Sequence, residues 1–115
     1  MDKNNVMYKV KITISKTTFQ DDLAREHGID DISVCPYMSE GEVYYTDHDM
    51  PEGFCKGAWE AIKQCVREFA DMGYDENFYF KEWIKTPSLA VISCNDGLRP
   101  VIMKIEATDI KSEGE

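Results

Sequence analysis

The sequence predicts an α+β domain: a small, largely antiparallel sheet of about four or five strands packed against one main helix, with a short helix near the N-terminus. Three observations predict it. From Tyr8 to Ile14 apolar and polar side chains alternate with a period of two, the mark of a strand buried on one face. From Cys55 to Met72 apolar residues recur at intervals of three and four, which gathers them on one side of a helix. Two β-rich runs, Leu89 to Cys94 and Leu98 to Ala107, flank Asn95-Asp96-Gly97 and read as a hairpin whose loop contains the glycine such turns favour.

Size and charge bound the rest. A chain of 115 residues has room for a single domain, 1–115, with one core that removes roughly two-thirds of the unfolded surface from water. The ends, residues 1–6 and 108–115, read as frayed tails. Thirteen basic against twenty-two acidic residues leave a net charge of −9, and no stripe of Lys or Arg is present to neutralise phosphates. Nucleic acid and anionic membranes are therefore excluded as expected partners. No apolar run approaches the roughly 20 residues of a membrane span, and the polar start, Met1 to Asn5, leads into no apolar signal core, so a cytoplasmic location is expected. A small ligand, a protein partner or a second copy of the chain remain.

In chain order, the first strand places Tyr8, Val10, Ile12 and Ile14 on one face and Lys9, Lys11 and Thr13 on the other. Thr17 and Thr18 then precede Phe19 to His27, with acids in the first turn and Gly28 as a stop, which describes a short helix capped by threonine. Pro36 cannot donate to a ladder, so Cys35 is placed at a strand end, a sheet edge or a bend, and Gly41 turns the chain into a further strand, Glu42 to Thr46. Asp47 to Phe54 is an acidic loop carrying His48. In the main helix Ala58, Trp59, Ile62, Cys65, Val66, Phe69 and Met72 form the apolar stripe, and Gly73 ends it. Cys65 lies within that stripe and belongs to the core, whereas Cys55 sits at the helix start, where unpaired N–H groups favour a thiolate. Tyr74 to Pro87, rich in Tyr, Phe and Trp, reads as a flap over the core, with a pocket wall or a partner surface as its other uses.

Three motifs now stand together: Cys35-Pro36 followed by Gly41, a Cys-Pro-x4-Gly pattern; Pro51-Glu52-Gly53-Phe54-Cys55 followed by Ala58-Trp59; and Cys94-Asn95-Asp96-Gly97-Leu98-Arg99-Pro100-Val101. The set resembles a family of small, functionally uncharacterised, cysteine-containing proteins of anaerobic bacteria and archaea, over about Tyr8 to Ile105. The resemblance implies that cysteines at 35, 55 and 94 belong to a shared pattern, while Cys65 and the two histidines do not. It implies no activity.

In a reducing compartment these cysteines are not expected to form structural disulfides. Each of the three lies at an element boundary, and boundaries at one end of a sheet are where sites are built. Three uses stay open. They are reduced thiols packed in the core, ligands to zinc or another thiophilic metal, or a redox pair led by Cys55. No Cys-x-x-Cys pair is present to decide for zinc. Around one tetrahedral ion the three sulfurs would stand about 4 Å apart, with Asp96, His48 or water completing the shell. Arg99 and Asp96 either bind a small carboxylate or pair with each other. The function expected is binding of a soft metal ion or small ligand through Cys35, Cys55 and Cys94, with Asp96, Arg99 and His48 as further ligands or supports; an enzyme is neither excluded nor indicated. The alternative is an interaction module using the acidic surface and the aromatics of Tyr74 to Trp83.

Overall fold

The computed structural model describes residues 6–112. Four strands, β1 (Tyr8–Thr17), β2 (Val43–Thr46), β3 (Leu89–Ser93) and β4 (Val101–Lys111), form one sheet in the order β2-β1-β4-β3, and every neighbouring pair is antiparallel. The alternation seen in the sequence fixes the register. Val10 pairs with Ala107, Ile12 with Ile105 and Ile14 with Met103, so the buried rows of β1 and β4 share one face. Ala90 and Ile92 of β3 extend those rows opposite Ile105 and Met103.

Across that face lies α2 (Lys56–Met72), which touches β4, β1 and β3. Its buried residues are Ala58, Trp59, Ile62, Cys65, Val66, Phe69 and Ala70. Met72, expected in the stripe, is half exposed at the last turn, and Ala70 takes the inward position instead. Gly73 ends the helix with φ +70° and ψ −169°, a region essentially reserved for glycine. Its α-carbon also passes so close to Tyr8 that a β-carbon would stand 2.8 Å from the ring.

Several local expectations are corrected. The short helix α1 (Asp21–His27) forms, but Gln20 precedes it without a side-chain cap, because the Thr18 hydroxyl donates instead to the Pro100 carbonyl at 2.7 Å. Ile32 to Met38 is irregular, and of the three settings open to Cys35 the structure has the bend, at Pro36. The β3–β4 connection runs from Cys94 to Pro100, longer than the three residues expected, and Gly97 does not take a positive φ. Here the Asp96 carboxylate accepts from the N–H groups of Leu98 and Arg99, which closes a side-chain-capped turn before β4 begins. Of the expected frayed ends, residues 1–5 and 113–115 lie outside the described residues, while Thr108 to Lys111 continues β4. Tyr8 pairs with Lys111 there, and the Thr108 hydroxyl donates to the Lys9 carbonyl.

The aromatic segment contains no helix. Tyr79 meets Phe69 edge to face at 5.6 Å and Phe80 at 4.7 Å, and both rings pack against the core. No helix among the described residues is long and apolar enough to cross a membrane.

Candidate functional site

Three chain segments meet beside the N-terminal end of α2. The bend at Pro36 brings Cys35 and Tyr37, the start of α2 brings Cys55, Gly57, Ala58 and Glu60, and the β3–β4 loop brings Cys94, Asn95, Asp96 and Arg99. Together they line an open cavity of about 420 Å³. Cys35, Cys55 and Cys94 thus line one space, each partly buried against the core, while Cys65 is sealed beneath α2.

Each thiol is held by ordinary backbone chemistry. Cys55 precedes the first helical residue with extended backbone, and no side chain caps the helix there. Gly57 faces this space: a β-carbon added there would meet only the Cys55 sulfur, at 4.0 Å. Cys94 closes the β3–β4 ladder: its N–H donates to the Val101 carbonyl at 3.0 Å, and the Val101 N–H donates to its sulfur at 3.3 Å.

Arg99 is the cation of this wall. Its Nε donates to Asp96 Oδ2 at 3.0 Å, so the expected pairing of these two residues is what the structure contains. The N–H of Leu98, with the Arg99 side chain and backbone behind it, holds the Asp96 carboxyl below its ordinary range, and the same carboxylate raises Arg99. Loop carbonyls are tied down from the opposite side, Leu98 by the Gln20 N–H and Pro100 by Thr18. By contrast, burial pushes the Cys65 thiol up to about 12, with Glu68 adding to the effect.

His48 lies elsewhere. Its Nε2 stands 2.6 Å from Asp71 Oδ1, in the last turn of α2, and its carbonyl accepts from Arg67. That position is about 24 Å along the helix from Cys55, so His48 does not join the cysteines. Among the described residues no three His, Cys, Asp or Glu side chains are grouped to hold a metal ion. Tyr37 and Glu60 are cavity residues that sequence reasoning missed. The signal available was Gly57-Ala58, two small side chains that leave the first turn open beside Cys55. No family model, curated protein or solved structure matches the chain.

Proposed function

We propose that this protein binds a small thiophilic ligand, a soft metal ion such as zinc among them, in the cavity lined by Cys35, Cys55 and Cys94. The observation that carries the reading is the convergence of three thiols, from segments far apart in sequence, on one cavity of about 420 Å³. A water molecule occupies about 30 Å³ of liquid, so there is room for an ion together with its own co-ligands, or for a small organic molecule. Thiolates select soft partners, and Cys side chains at a bend, a helix start and a loop can close on one by rotamer change. A cytoplasmic setting, which keeps thiols reduced, and membership of the family that the three motifs resemble belong to the same proposal.

The test is metal content and metal titration of protein purified without oxygen. Near-stoichiometric zinc, or a thiolate charge-transfer band on adding Co²⁺, should be lost in each of Cys35→Ser, Cys55→Ser and Cys94→Ser and kept in Cys65→Ala. Binding that survives any of the three single replacements unchanged would overturn the shared site. A reversible disulfide between two of the three, without metal, would assign the cavity to redox chemistry instead.

A second reading, a module that holds a protein partner, has one observation in its favour. Trp83 is 71% exposed yet stacks on Phe80 at 5.0 Å, a preordered apolar surface on an acidic chain.

A further inference from the structure

We infer that the ligand of this cavity carries a carboxylate, received by Arg99 while a soft centre on the same molecule meets the thiols. The inference rests on the thiol-cavity reading above and adds the chemical class of the ligand. Its starting point is the state of the guanidinium. Arg99 lines the cavity with Cys35, Cys55 and Cys94, and its side chain is partly buried, at 28% exposure. A guanidinium has five N–H donors in a planar fork. Among the described residues only Nε has a hydrogen-bond partner, Asp96, which leaves the two terminal nitrogens with their four N–H groups unspent.

The position of that fork is set in advance. Asp96 holds Nε with one oxygen and two backbone N–H groups with the other, and the loop carbonyls on either side of Arg99 are bound by Gln20 and Thr18. With Nε occupied, the end-on face of the two terminal nitrogens remains, a geometry that receives a carboxylate in two parallel bonds. Nothing in the wall is free to fill that role. Asp96 is already committed, and Glu60, on the same lining, is paired with Lys63 at 2.9 Å. The other titratable groups around the guanidinium are Cys35 and Tyr37, which raise it, with Glu60, Cys55 and Cys94 on the same lining. A thiophile bearing its own carboxylate meets both the thiols and the unspent guanidinium, whereas a bare ion meets the thiols alone.

The experiment compares two mercurials of one shape, p-chloromercuribenzoate and phenylmercuric chloride. In both reactions a sulfur–mercury bond forms, the mercury–chlorine bond breaks, and the thiol proton and chloride leave, with no change of oxidation state. Rates are read by stopped flow, normalised to a small free thiol, and assigned to individual cysteines by mass spectrometry. The carboxylated probe should label the cavity thiols about tenfold faster than its uncharged twin, the effect of one charge-assisted contact. Arg99→Gln should abolish that advantage. Free benzoate should slow the carboxylated probe alone in the wild-type protein, a measurement that decides the matter even where Arg99→Gln does not fold. Equal normalised rates, or no competition by benzoate, would overturn the carboxylate while leaving the thiol cavity standing. Failure of both probes to label Cys35, Cys55 and Cys94 would overturn both.

Discussion

Cys65 and the three cavity cysteines differ in one physical variable, access to water. Cys65 is 1% exposed, and burial pushes its thiol from 9.0 up to about 12. Its proton is therefore kept by the folded chain and released by the unfolded chain once the pH passes 9. Stability contributed by Cys65 is full below pH 9 and is lost as the pH climbs toward 12. Denaturant melts across that window should show wild type losing about 1.4 kcal/mol per pH unit more than Cys65→Ala, a variant costing about 1 kcal/mol at neutral pH. Asp96 has the opposite sign. Its carboxyl is held below 3.8 by the Leu98 N–H and by Arg99, so the stability it gives is present above pH 3.8 and is lost as the pH falls through its lowered midpoint. An NMR titration of the Asp96 carboxyl carbon should find that midpoint below 3.8, with the Leu98 amide moving in step; a midpoint at or above 3.8 would mean the loop bonds do not hold in solution. Cys65 was legible in the sequence because helical spacing alone puts it on the apolar face. The Asp96 turn was not, because an aspartate that captures two backbone N–H groups looks, in sequence, like the tight Asn-Asp-Gly turn of a short hairpin.

At the level of elements, α2 bears the test of the core. Trp59 is 5% exposed, meets Phe54 edge to face at 6.4 Å and carries the Arg67 guanidinium 6.0 Å from its ring centroid. Trp59→Ala should cost about 3–5 kcal/mol in denaturant melts, whereas Lys63→Ala, which removes only a solvent-facing pair with Glu60, should cost less than about 0.5 kcal/mol. Equal effects would mean that the helix presents another face to the sheet. The helix end is as strictly determined. Gly73→Ala forces a β-carbon into a glycine-only backbone region and against the Tyr8 ring, so a loss of about 2–3 kcal/mol is expected from the same melts. Strands and helices were legible where periodicity extends over seven residues or more, as in β1 and α2. Caps were not: Thr18 has the chemistry of a helix cap, yet its hydroxyl is drawn to Pro100, a residue 82 positions away.

On the scale of the whole molecule, the cavity exists only when the sheet is assembled. Its walls come from residues 35–37, 55–60 and 94–99, and these are brought together by the antiparallel pairing of β1 with β4 and β3 with β4 and by α2 lying across them. The boundary positions of Cys55 and Cys94 were legible, while Cys35 lies within the irregular stretch between α1 and β2; whether these segments meet depends on strand order, and β2-β1-β4-β3 cannot be read from local patterns. A site built this way is absent from the unfolded chain, so whatever binds there must stabilise the entire fold. At a ligand concentration one hundred times its dissociation constant the gain is about 2.7 kcal/mol, which for a domain of this size raises the melting temperature by about 10 °C. Cd²⁺, a soft ion without redox chemistry of its own, is a suitable probe under nitrogen. Wild type and Cys65→Ala should show the full shift, and the combined Cys35→Ser, Cys55→Ser and Cys94→Ser variant should show none. A shift that persists in the triple variant would move the ion to carboxylates on the acidic surface, and the three thiols would then be residues of the core and no more.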